Sequence, residues 1–161
     1  MCDRECANRV NNSGFTWVEL IVVMTIMGII SAIVVNRFMT DDTELVAQTE
    51  VIKAHLRYAQ LRSMNTDTVW YIKFTANTYE LYKNGDAVAK LFPGGDSPTI
   101  SLPTGASVNY GASDVVAFNG WGKPCIDSAG QVLQAADRTL TITQGAENRS
   151  ITITKNTGFI P

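Results

Sequence analysis

Three residues near the amino end carry the chemistry that this 161-residue chain offers most clearly: Gly14, Phe15 and Glu19. Glu19 is the only ionisable side chain from Phe15 to Val35. The run from Leu20 to Val35 holds no charge and departs from large apolar residues only at Thr25, Gly28, Ser31 and Ala32. In lipid, a carboxylate within such a run costs a few kcal/mol unless it is neutralised, paired or lifted to the headgroups. Gly14 points to the partner. It precedes the apolar run, whereas the small-residue cleavage site of an ordinary secretory signal follows it. A cut between Gly14 and Phe15 leaves the run on the product and frees an amino group at Phe15, one helical turn from Glu19. The same amino group is offered by neighbouring copies. At ~4 Å and an effective dielectric near 20, the pairing returns ~4 kcal/mol, enough to offset burial. In a lone chain the alternative is a glutamate that stays wet at the headgroup level.

No catalytic constellation stands beside these residues. His55, the only histidine, falls mid-helix with no acid or cysteine at a recognisable spacing, and is read as a packing or surface residue. Cys125 has only Lys123 in support and is read as a small buried apolar side chain. Cys2 and Cys6 lack the second thiol pair or histidines that a metal needs, and they would leave with a cleaved leader, so no internal disulfide is expected. Asp114, Asp127 and Asp137 are loop acids that calcium could gather, but their wide separation lacks a dense ligand rhythm. No Gly-rich phosphate loop is present, and a net charge of −2 gives no phosphate-binding surface by composition. The expectation is no catalytic residue, no metal and no cofactor.

The elements that position Phe15 and Glu19 come next. At ~1.5 Å per residue a helix from Phe15 to Val35 crosses the ~30 Å hydrocarbon core. After polar Thr40 to Glu44, residues Leu45, Ile52, Leu56, Ala59 and Ser63 fall on one stripe of an amphipathic helix reaching about Met64. One long helix is expected, bent or loosened between Asn36 and Thr43, where Asp41 and Glu44 offer a fresh cap. From Val69 the pattern alternates. Strands are predicted at Val69 to Phe74, Tyr79 to Lys83, Thr99 to Leu102, Ser107 to Tyr110, Val115 to Phe118, Thr139 to Thr143 and Ser150 to Lys155. Asn84-Gly85 predicts a turn with Ala87 to Phe92 as its return strand. Asn119 to Pro124 is expected to be irregular, with Gly120 and Gly122 at positive φ or close backbone approach. The fold class is α+β: residues 1–14 a leader, 15–35 a transmembrane segment, 36–65 the amphipathic second half of the helix, and 66–161 a β-rich domain of antiparallel sheet.

The signature Gly14-Phe15-Thr16-x-x-Glu19-Leu20, continued by Gly28-Ile29-Ile30-Ser31-Ala32-Ile33, closely resembles the type III signal of type IV pilins and type II secretion pseudopilins. The resemblance implies cleavage between Gly14 and Phe15 by a prepilin peptidase, N-methylation of Phe15, and a register-setting contact between Glu19 and the Phe15 amine. It also implies a single-pass inner-membrane protein with a periplasmic domain. Its partners would be inner-membrane lipid, an assembly platform and other pilins packed through the helix. Three features depart from the pattern. Arg4 and Arg9 are balanced by Asp3 and Glu5, Asn36 stands where many members have proline, and Trp17 replaces the common leucine. Leu56 to Asn65, the Phe118-x-Gly-x-Gly-x-Pro124 element and Thr157-Gly158 are similar to the GspH/FimT group, which implies a minor pseudopilin or minor pilin that initiates or caps a filament.

Two other functions are weighed against this one. Some members of the FimT branch bind DNA through C-terminal arginines after a glycine, but this chain ends Gly158-Phe159-Ile160-Pro161. Arg138, Arg149 and Lys155 would be a sparse substitute. Trp70, Tyr71, Tyr79 and Tyr82 could stack on bases, yet strand aromatics beside a helix are more often core. Nucleic acid is therefore not an expected partner. The other alternative is an unassembled single-pass ligand-binding protein.

Overall fold

The structure, a computed structural model, describes residues 15–38, 41–111 and 113–161. They divide into two compact units, one ending at Phe38 and one beginning at Asp41. The first contains α1 (Trp17–Phe38). Thr16 starts it: its Oγ1 accepts the Glu19 N–H at 3.3 Å and its carbonyl accepts the Leu20 N–H at 3.2 Å, the geometry of an N-cap. The second opens with α2 (Asp41–Thr66). Met39 and Thr40, where the expected continuity of one long helix would be decided, lie outside the described residues.

Within the second unit, Leu45, Ile52, Leu56, Ala59 and Ser63 are all buried, as their spacing predicts, and Thr49 joins the stripe. Ser63 is polar yet satisfied. Its Oγ donates to Ala59 O at 3.1 Å and accepts the Trp70 N–H at 2.9 Å, tying the end of the helix to the first strand. Asp67, at φ 48°, takes the left-handed conformation that closes α2.

Eight strands follow: β1 (Trp70–Phe74), β2 (Thr78–Lys83), β3 (Thr99–Ser101), β4 (Ala106–Asn109), β5 (Val115–Phe118), β6 (Pro124–Cys125), β7 (Arg138–Gln144) and β8 (Glu147–Ile153). They form a five-stranded sheet in the order β3-β2-β1-β5-β6 and a three-stranded sheet in the order β4-β7-β8, with every pairing antiparallel. Both sheets pack against α2. Trp70, Ile72 and Phe74 of β1, Leu140 and Ile142 of β7, and Ile151 and Ile153 of β8 are buried, while Thr139, Thr141, Thr143 and Thr152 remain exposed or half-exposed. Period-2 alternation thus puts apolar residues toward the helix and threonines toward water. Each fully buried large side chain contributes ~1.5–3 kcal/mol.

One predicted strand is not one. The turn at Asn84-Gly85 forms, with Gly85 at φ 88° and Asp86 N donating to Lys83 O at 3.0 Å. Ala87 to Phe92 then makes a single bridge, Leu81 to Lys90, and β3 takes the edge of β2 instead. Phe92 is the physical reason. It is 2% exposed, drawn into the core to stack on His55 at 4.0 Å, and Pro93 behind it removes a ladder donor.

Candidate assembly site

The first turn of α1 holds the residues singled out for chemistry. Gly14 lies outside the described residues. Phe15 is 81% exposed and Glu19 is exposed. Thr16-Trp17-Val18-Glu19 also has the T-x-x-E spacing of a capping box. The bond present is the one from the Glu19 backbone N–H to Thr16 Oγ1. Beyond it, every large apolar side chain from Trp17 to Ile30 is exposed, from 46% at Val23 to 82% at Trp17. A helix that is apolar all round belongs in a membrane or among other helices. Among the described residues no helix is long and apolar enough to cross a membrane.

Elsewhere the candidates take structural places. His55 Nδ1 lies 2.9 Å from the hydroxyl of buried Tyr79, and the ring stacks on Phe92. Burial lowers the His55 pKa and raises that of Tyr79. This is a packing histidine. Cys125 is buried, its Sγ facing Gly130 O at 3.5 Å and Lys123 O at 3.6 Å. Burial first, and Asp127 second, push its thiol pKa up, opposite to what a nucleophile needs. Asp127 accepts the N–H groups of Gln131 and Val132 at 3.1 and 2.7 Å, and Asp137 accepts that of Lys155 at 2.9 Å. Among the described residues no three such side chains form a group that could hold a metal.

The cations proposed as phosphate contacts are not equivalent. Arg138 is 9% exposed and spends its guanidinium on the carbonyls of Tyr110, Ser113 and Val115, pinning the loop between β4 and β5 onto β7. The alternation Arg138-Thr139-Leu140-Thr141-Ile142 already placed it on the inward face. Of the aromatic candidates, Trp70 and Tyr79 are core, with Arg62 over the Trp70 ring at 4.7 Å. Tyr71 and Tyr82 are half-exposed and stack on each other at 5.3 Å.

The Gly120-Gly122 element behaves as its glycines require. Gly122 has φ 75° and sits so near Met64 that a Cβ would fall 2.8 Å from Met64 Sδ, while a Cβ on Gly120 would collide with Asp67. Gln60, which sequence reading passed over, fastens this turn to the C-terminal segment by donating to Gly122 O at 2.8 Å and Thr157 O at 3.0 Å. Arg57 adds a 2.9 Å bond to Ile160 O. Trp121, at the tip of the turn, is 83% exposed.

Comparison with known proteins bears on both ends of the chain. Residues 9–35 match the prokaryotic N-terminal methylation motif. The fold is similar to that of the type IV minor pilin FimU of Pseudomonas aeruginosa in two crystal forms. For one, the TM-score is 0.54 at 17% identity, covering 76% of this chain and 90% of that one. For the other, it is 0.51 at 17% identity, covering 73% and 90%. No curated protein matches the chain significantly. The chain thus carries a prokaryotic N-terminal methylation motif at its amino end and a fold similar to that of a type IV minor pilin.

Proposed function

We propose that the chain is a minor pseudopilin or minor pilin of the GspH/FimT group, a structural subunit that helps initiate or cap a type II secretion pseudopilus or a type IV pilus. In this reading a prepilin peptidase cuts between Gly14 and Phe15, and Phe15 is N-methylated. Residues Phe15 to Val35 hold the subunit in the inner membrane, the β-rich domain lies in the periplasm, and an assembly platform draws the helix into the filament. Glu19 sets the register by pairing with the Phe15 amine of a neighbouring subunit, where removal from water strengthens the attraction. The observation that carries the reading is α1 itself. It presents large apolar side chains on every face within the stretch that matches the methylation motif, so its burial must come from lipid or from other helices. A role in DNA uptake draws less support, because Arg138 is already committed to three carbonyls.

Mass spectrometry of the mature protein tests the proposal. The expected species begins at Phe15, carries one methyl group and retains the apolar run. A chain that keeps Met1 to Gly14, or has lost the run, overturns the assembly reading and returns the protein to an unassembled single-pass binder.

A further inference from the structure

We infer that Asn84 is a self-modifying site: attack by the Gly85 backbone nitrogen expels its side-chain nitrogen and leaves aspartate or isoaspartate in its place. The chain contains the pair Asn-Gly twice, at Asn84-Gly85 and at Asn119-Gly120. Glycine matters at the second position because, with no Cβ, it leaves its nitrogen open to the neighbouring side-chain carbonyl. The pairs are alike in sequence, and the fold separates them. Asn84 and Gly85 are exposed in the turn that closes where Asp86 N donates to Lys83 O at 3.0 Å. Gly85 at φ 88°, behind an Asn84 of negative φ, makes this a type II turn. To reach Asn84 Cγ, the Gly85 nitrogen has to swing with its peptide plane. Among the described residues the Asn84 side chain, the Asn84 carbonyl and the Gly85 N–H make no hydrogen bond, so the swing breaks none. A Cβ on Gly85 would meet nothing within 4 Å, so there is also room for a ring to close.

Asn119 is held at the same atoms. Its Oδ1 accepts the N–H groups of Trp121 and Lys123 at 3.1 and 3.0 Å, and its carbonyl accepts that of Gly122 at 2.8 Å. Gly120 is packed against Asp67, where a Cβ would collide. Ring closure there has to break these bonds first. At Asn84 the step balances without an oxidant or reductant. The Gly85 nitrogen gives its proton to solvent base and bonds to Asn84 Cγ. The Cγ–Nδ2 bond breaks, and the departing nitrogen takes up a proton and leaves as ammonia. One water then opens the five-membered succinimide, at Cγ to give aspartate or at the main-chain carbonyl to give isoaspartate. Either product sets a new carboxylate beside Lys83, and isoaspartate adds a backbone carbon between β2 and Phe92, the side chain buried on His55. Older copies therefore differ from new ones in charge at this turn. The inference stands on the β domain alone and holds whether or not α1 enters a filament.

Ageing the full chain in detergent micelles at neutral and mildly alkaline pH, with peptide mapping by mass spectrometry at intervals, tests it. Asn84 is expected to lose its amide at least about tenfold faster than Asn119, whose three hydrogen bonds must open first. The rate should rise with pH, because the attacking nitrogen has to shed its proton, and the product should be a mixture of aspartate and isoaspartate. In urea the two rates should converge, which separates the effect of the fold from that of the sequence. Asn84→Gln, whose ring would need one more carbon, should abolish the change at this position while Asn119 ages as before. The inference is overturned if Asn84 stays intact on ageing, if both asparagines convert at one rate in the folded chain, or if the gap between them persists in urea.

Discussion

The two helices are close in length, 22 residues in α1 and 26 in α2, yet they solve opposite problems. α2 sets one apolar stripe among charges and buries it against sheets encoded by the same chain. α1 is apolar on all sides, and among its described side chains from Trp17 to Ile30 no large apolar residue is buried. The difference teaches where each helix finds its solvent. The environment of α2 is written downstream in β1, β5, β7 and β8, whereas the α1 unit by itself encodes no such partner.

Paired truncations are the bluntest way to break that contrast. Leu56→Ala in α2 empties a fully buried site and should destabilise the domain by ~2–5 kcal/mol in urea unfolding followed by tryptophan fluorescence. Ile26→Ala in α1 should leave the same transition within ~0.5 kcal/mol. Equal losses at the two positions would mean that α1 has its own partner in the folded domain. Arg138→Met probes the domain's polar interior. With the carbonyls of Tyr110, Ser113 and Val115 stripped of their donor, ~1–3 kcal/mol should be lost, while α1 helicity measured in micelles stays unchanged.

Glu19→Ala sharpens the comparison from the other side. It should leave the urea midpoint of the domain and membrane insertion as they are, yet lower incorporation into filaments at least tenfold, ~1.4 kcal/mol. Quantitative blotting of sheared filaments against membranes reads the effect. Normal incorporation would remove the pairing with the Phe15 amine and leave Glu19 only its place in the first turn behind Thr16.

Much of this was legible in the sequence, because the signals were periodic. The steps joining Leu45, Ile52, Leu56, Ala59 and Ser63 mark a helix face, and Leu140, Ile142, Ile151 and Ile153 mark a sheet face, since backbone geometry alone decides which residues share a side. The error at Ala87 to Phe92 shows the limit. Alternation and an Asn-Gly turn argue locally for a hairpin, but the stronger claim on Phe92 came from His55 and Tyr79, which are distant in sequence. The fastening of the C-terminal segment by Gln60 was hidden for a similar reason. A glutamine on a helix carries no periodic signal, and its acceptors, Gly122 O and Thr157 O, are backbone atoms. At α1 the structure places Phe15 and Glu19 at the exposed start of the helix, while the pairing proposed for them involves a second chain that no single sequence contains.

The smallest expected effect is a pH dependence confined to the domain. Burial holds the His55 pKa below its ordinary value of 6.5, and the ring, stacked on Phe92, lies within hydrogen-bond distance of the Tyr79 hydroxyl. In the unfolded chain the same histidine takes up a proton near 6.5, so as pH falls below that value the unfolded state binds more protons than the folded one. The stability that neutral His55 contributes is therefore complete above pH 6.5 and is lost progressively as pH falls toward the lowered folded value. Urea midpoints of the parent and His55→Gln, compared between pH 7.5 and pH 5, should converge on the acid side. Carboxylates common to both proteins cancel in the difference, which isolates the histidine. A gap between the two proteins that stays constant with pH would mean that His55 is as free to protonate in the folded domain as in the unfolded chain, and that its ring is not held by Tyr79 and Phe92 as the structure places it.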